Sequence, residues 1–207
     1  WNKLPDAVLT GEESWEENCV CEPQVMSAEA HAADSKYIMY YRSGWGTTAV
    51  NAAFSDDGVA WEKYANNPLT TPGDKQGGMQ PWVTYDEASK YFYLFTTSSD
   101  WYVPNIRRSL DGLTEWENIY ATIPCPDGVS HYFGNRVMWK EGEKYYLLQE
   151  MGNMPSGIWQ IFLFSSDDIV TWTSEKEGKP FIELQRHDGA MYGGPSMETV
   201  GGQVVGK

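Results

Sequence analysis

Apolar and polar positions in this chain fall into short runs that recur with one beat. Lys36-Tyr37-Ile38-Met39-Tyr40-Tyr41, Lys90-Tyr91-Phe92-Tyr93-Leu94-Phe95 and Lys144-Tyr145-Tyr146-Leu147-Leu148 are nearly continuous apolar runs of strand length. They are too short for helices and rich in aromatic residues, tyrosine above all, which predicts strands. A second strand-like run follows each, over residues 48–54, 103–108 and 158–164. A polar turn comes next, and then a tryptophan. Ser55-Asp56-Asp57-Gly58 leads to Trp61-Glu62-Lys63, Ser109-Leu110-Asp111-Gly112 to Trp116-Glu117, and Ser165-Ser166-Asp167-Asp168 to Trp172-Thr173. From Trp61 to Trp116 is 55 residues, and from Trp116 to Trp172 is 56.

Each unit also opens on a short segment: Glu22-Pro23-Gln24-Val25, Gln80-Pro81-Trp82-Val83 and Asn135-Arg136-Val137-Met138. A fourth opening, Gly194-Pro195-Ser196-Met197, comes just before the chain stops. Four strand-like runs per unit, split by Gly, Asp and Asn turns and repeated at a fixed period, describe blades of a β-propeller. The expected blades cover about 22–69, 80–122 and 135–182, with 194–207 opening another, in a single domain over 1–207. Trp1-Asn2-Lys3 followed by Pro5 parallels Trp61-Glu62-Lys63 followed by Pro68, so the first residues are expected to complete a blade. Stopping at Lys207, in mid-blade, predicts a fragment, the alternative being completion by another chain.

Composition narrows the partners. A formal net charge of −14 and a pI near 4.5 argue against nucleic acid and anionic membrane. No apolar run approaches the roughly 18 residues of a transmembrane helix. Ten tryptophans and 13 tyrosines suit packing between blades and also a sugar-binding cleft. Three cysteines, Cys19, Cys21 and Cys125, allow at most one pair and lack zinc spacing.

In a propeller the inner-strand openings ring a central channel, where ligands bind. The residues there are Glu22, Gln80, Asn135 and Arg136, with Gly193 in the fourth unit. His187-Asp188 pairs a carboxylate with an imidazole ahead of the fourth opening and is a candidate acid or base. Glu16, Asp74 and Asp188 each stand seven residues before an inner-strand proline, and a turn cap is the favoured reading of that spacing. Glu150, at the end of its strand, and Glu16 and Glu17, close to Glu22, are further carboxylates to place. His131 and Arg42 are polar candidates. Trp82, Trp139 and Tyr192 are candidate stacking platforms, with inter-blade packing expected of the first two. His31, in a polar loop, is expected in solvent.

The X-Pro openings, the Lys-Tyr-Tyr strands and the Ser-Asp-Asp-Gly…Trp-Glu-Lys…Asn-Pro segment resemble the five-bladed β-propeller glycoside hydrolases: the arabinanase/xylosidase family, the invertase/levanase family and related propellers. The resemblance implies an all-β fold with about three full four-stranded blades here and parts of two more. It implies a plant or algal oligo- or polysaccharide as substrate and a secreted or periplasmic enzyme. A calcium or sodium ion in the channel is compatible with it, without a ligand set that the sequence names. In the arabinanase/xylosidase pattern Glu22 stands at the position of the general base. Gln80, Asn135 and Gly193 stand where that pattern has a Trp-Ala-Pro opening, a pKa-modulating Asp and the acid Glu. Catalysis is therefore expected from Glu22 with Asp188, with Gln80, His131, Asn135, Arg136, His187 and Tyr192 binding substrate. The rival is a propeller that binds carbohydrate without cleaving it.

Overall fold

A computed structural model describes residues 3–31, 33–74, 77–98, 104–125, 131–153, 158–182, 197–200 and 203–206. Among them there is no α-helix, only a 3-10 turn at Ser14–Glu16, and apart from one isolated parallel bridge between Thr122 and Thr171 the rest of the regular structure is antiparallel sheet. The chain divides into two compact units: Trp1–Ser99 with Arg107–Asn118, and Asp100–Ile106 with Ile119–Lys207.

In the first unit β1 (Val20–Ser27), β2 (Tyr37–Ser43), β3 (Ala49–Ser55) and β4 (Glu62–Lys63) form one four-stranded meander. The next sheet repeats it with β5 (Met79–Asp86), β6 (Tyr91–Thr97), β7 (Pro104–Ser109) and β8 (Glu117–Ile119). In the second unit β9 (His131–Glu141), β10 (Lys144–Asn153), β11 (Ile158–Ser166) and β12 (Thr173–Ser174) repeat it again. A hairpin of β13 (Met197–Val200) and β14 (Gln203–Gly206) follows. The tyrosine-rich runs are the second strands. After Tyr37, every residue of β2 is buried, which is why that run lacks the alternation of a half-exposed strand.

The first two sheets share a core. Ile38, Tyr40, Val50 and Ala52 of the first pack with Val83, Phe92 and Leu94 of the second. Each such Ile, Leu or Phe contributes roughly 1.5–3 kcal/mol on full burial. His31 belongs to this interior, against the expectation that it lies in solvent. It is 3% exposed, its Nε2 is 2.7 Å from the Tyr40 hydroxyl, and its ring centroid is 4.2 Å from that of Phe92. Tyr40 in turn donates to the Gly112 carbonyl at 2.8 Å. The sequence around His31 is polar, but the aromatic partners come from β2 and β6 and are invisible locally.

The Ser-x-Asp turn is a structural repeat. Asp57 Oδ1 accepts the N–H groups of Val59 and Ala60, Asp111 Oδ1 those of Leu113 and Thr114, and Asp168 Oδ1 those of Val170 and Thr171. Ser55, Ser109 and Ser166 each donate to the Asp two residues on. The indole N–H groups of Trp61 and Trp172 close two of these turns on Gly58 and Ile169 carbonyls. Side chains that satisfy turn amides so completely explain why the motif recurs.

Candidate functional site

The inner strands of the first two sheets break register where their prolines stand. Between Cys21 and Gln24, and between Met79 and Trp82, pairing shifts by a bulge. A proline has no N–H for the ladder, so Pro23 and Pro81 force such a break. The preceding residues, Glu22 and Gln80, take left-handed φ values of 52° and 50°. That region is costly for a residue with a Cβ, by about 1–3 kcal/mol, and such strain gathers at functional sites.

The two strained residues meet. Glu22 Oε2 accepts the main-chain N–H of Gln80 at 2.6 Å, and Glu22 Oε1 pairs with Arg42 Nη1 at 2.9 Å. The Arg42 side chain is 7% exposed and that of Glu22 25%, so the carboxylate faces solvent from a buried cationic partner. Arg42 Nε and Nη2 donate to the Gly44 carbonyl, which ties the bulge to the turn between β2 and β3. Two residues beyond Glu22, the Gln24 amide bridges the strands: Oε1 accepts Val83 N–H at 2.6 Å and Nε2 donates to Val83 O at 2.8 Å.

The turn after β2 carries an element that the sequence reading missed. Glu17 Oε2 accepts the N–H groups of Trp45 and Gly46, and its Oε1 accepts the Thr47 hydroxyl. The Gly46 amide first, then Thr47 and Trp45, hold the Glu17 carboxyl down at about 2. Trp45 lies with its ring centroid 5.5 Å from the Arg42 guanidinium. The signal was available in Gly44-Trp45-Gly46, a tryptophan at a turn tip.

In the second unit the bulge lies between the pairs Arg136↔Gln149 and Phe133↔Met151. Gly134, rather than Asn135, thus takes the register position of Glu22 and Gln80. Asn135 N–H and its side-chain amide both donate to Glu150 Oε2, at 2.9 and 3.2 Å. A Cβ on Gly134 would lie 2.5 Å from that oxygen, so the close approach of the carboxylate needs the glycine. Arg136 is 3% exposed, and its Nη2 donates to the Gly134 carbonyl at 2.7 Å. Gln149, fully buried, donates to the carbonyls of Gly134 and Glu150. His131 stands in β9 opposite Asn153. His187, Asp188, Tyr192 and Gly193 lie outside the described residues.

The acids seven residues before the prolines act structurally where they are described. Glu16, 1% exposed, accepts the Glu12 and Glu13 amides and Lys63 Nζ on one oxygen and the Tyr41 hydroxyl on the other. Burial raises its carboxyl, and those hydrogen bonds outweigh burial and bring it below the usual range. Asp74 meets Arg107 Nη2 at 3.2 Å. A cavity of about 520 Å³, lined by Trp15, Trp61, Lys63 and Tyr64 among others, lies along β4 and does not include Glu22. Trp139 stacks on Tyr146 at 5.4 Å, which is packing within its own sheet. Cys19 and Cys21 hold their sulfurs 3.6 Å apart without a bond, and burial pushes the Cys21 thiol up to about 12. Among the described residues no group of three His, Cys, Asp or Glu side chains gathers to hold a metal. Glu22, already bound by a guanidinium, is a poor ligand for a channel cation.

No protein-family model matches the chain, and no curated protein matches it. Solved structures do. A family 32 β-fructofuranosidase from Bombyx mori aligns over 89% of this chain with a TM-score of 0.65 at 16% identity, and the chain covers 40% of it. The endo-arabinase of Bacteroides thetaiotaomicron aligns over 78% with a TM-score of 0.57 at 12% identity, 61% of that protein being covered. An N-acetylgalactosamine deacetylase from F. plautii, bound to blood group B trisaccharide, aligns over 75% with a TM-score of 0.57 at 17% identity. The chain spans 51% of that deacetylase. The fold is therefore all-β and propeller-type, and it is the fold of the propeller glycoside hydrolases that the sequence resembles.

Proposed function

We propose that this chain is the propeller portion of a glycoside hydrolase acting on a plant or algal oligo- or polysaccharide outside the cytoplasm, with Glu22 as its general base. The observation that carries the reading is the Glu22 constellation: a strained residue before proline at the inner-strand opening, its carboxylate oriented by Arg42 and by the Gln80 amide. Each oxygen keeps a lone pair after those bonds, so the carboxylate can take a proton from a water beside the anomeric carbon. A second carboxyl must protonate the departing oxygen, and Asp188 is our candidate. A pair about 6.5–9.5 Å apart inverts, with Glu22 activating that water, whereas one about 5–5.5 Å apart would retain and make Glu22 the nucleophile instead. Gln80, Asn135, Arg136, His131, His187 and Tyr192 are proposed to hold sugar hydroxyls around them.

A second reading is a propeller that binds carbohydrate and does not cleave it. It is favoured by Gln80 and Gly134, which occupy the positions equivalent to Glu22 and offer no carboxylate. Fold alone does not choose, since a deacetylase shares it with the glycosidases. The test is to assay the full-length protein on aryl glycosides and on plant and algal polysaccharides. Turnover supports the hydrolase. Retained binding with no turnover on any substrate supports the second reading.

A further inference from the structure

Trp45 stands at the tip of the turn between β2 and β3 and is 72% exposed. An indole this exposed gives up most of the stabilisation it would gain in a core. Yet the turn that carries it is tightly built. Glu17 binds the amides of Trp45 and Gly46 and the Thr47 hydroxyl. Gly44 has φ +77°, and a Cβ on it would lie 2.6 Å from the Thr47 carbonyl oxygen. The ring is thus presented to solvent by a preorganised backbone. Its neighbour is the Arg42 guanidinium, 5.5 Å from the ring centroid, and that same group grips Glu22.

We propose that Trp45 is a stacking platform for a sugar ring, forming the subsite beside Glu22. The inference rests on the reading of Glu22 as part of a carbohydrate site. The face of the indole turned away from Arg42 takes the C–H face of a pyranose or furanose, and Arg42 on the other face holds the indole beside Glu22. A rigid aromatic surface binds at a low cost in conformational entropy, which suits a ligand with many hydroxyls and few apolar faces. The ligand class is a neutral saccharide, since the protein's net charge of −14 disfavours an acidic one.

The experiment compares wild type, W45A, W45Y and E22Q of the full-length protein. The probes are aryl glycosides for kinetics and native gels cast with soluble arabinan, levan or xylan for binding. For W45A the expected result is KM raised, or gel retardation weakened, roughly tenfold with kcat nearly unchanged, and W45Y restores most of it. Unchanged KM and retardation in W45A, or a loss confined to kcat, overturns the platform. If E22Q loses turnover while W45A behaves as wild type, the Trp45 inference falls and the hydrolase reading stands. If wild type is retarded without turnover and W45A is not retarded, the hydrolase reading falls and Trp45 stands. A wild type neither active on nor retarded by any probe overturns both. An unfolded W45A contradicts an exposed indole, and W45Y then decides alone by whether it binds as wild type.

Discussion

Glu22 Oε2 accepts the Gln80 main-chain N–H at 2.6 Å, across 58 residues of chain. Both residues sit in left-handed backbone directly before a proline, a conformation that the proline itself disfavours. Two costly positions facing each other, joined by one short hydrogen bond, are hard to explain by stability alone. They make sense if the bulge exists to aim the Glu22 carboxylate away from the strand ladder.

The strands carrying that pair are fastened by Gln24, whose amide satisfies both main-chain groups of Val83. Gln24→Leu would leave that N–H and that carbonyl without their partner in a half-buried place. The expected loss is about 1–2 kcal/mol, read as a lower urea midpoint at unchanged m-value.

His31 gives the fold a pH dependence with a definite sign. Burial lowers its pKa to about 4 against an ordinary 6.5, with Asp111 opposing the shift. Above pH 6.5 the imidazole is neutral whether folded or unfolded and contributes no slope. As pH falls below 6.5 the unfolded chain takes the proton first, so stability drops until about pH 4 and then levels, by on the order of 3 kcal/mol. Asp111, which hydrogen bonds bring down to about 2 against burial, titrates below that window. His31→Gln should flatten the fall between pH 6.5 and 4.5 in chemical denaturation. An unaltered slope would show that His31 does not cause it.

Gly112 has φ +71°, and a Cβ on it would lie 2.8 Å from both His31 Nε2 and the Tyr40 hydroxyl and 2.9 Å from Phe92 Cγ. Gly112→Ala therefore combines backbone strain with overpacking at a buried hydrogen-bonded cluster. A loss of roughly 2–3 kcal/mol is expected, seen as a lower Tm.

The blades were legible because their signals are local. The spacing of Trp61, Trp116 and Trp172 and the turns before them fixed three sheets, and the described strands fall on the expected runs. The openings were legible at Glu22 and Gln80 because a proline marks each bulge. The third opening has no proline, so sequence spacing pointed to Asn135 where strand register points to Gly134. The pairing of Glu150 is not legible in the sequence, because its partner Asn135 reaches it through a bulge that no periodicity encodes. His31 and Trp45 went the opposite way to their surroundings. One is buried in a polar loop by aromatic rings from other strands, and the other is exposed on a turn held by Glu17 from outside the blade.

The role of Glu22 is tested most directly by steady-state turnover of Glu22→Gln in the full-length protein, on whichever glycoside the wild type cleaves. The amide keeps the shape of the side chain but cannot take a proton. The account predicts a fall in kcat of about 10²–10⁴-fold with KM little changed. Turnover by Glu22→Gln at the wild-type rate would contradict it and remove Glu22 from the chemistry.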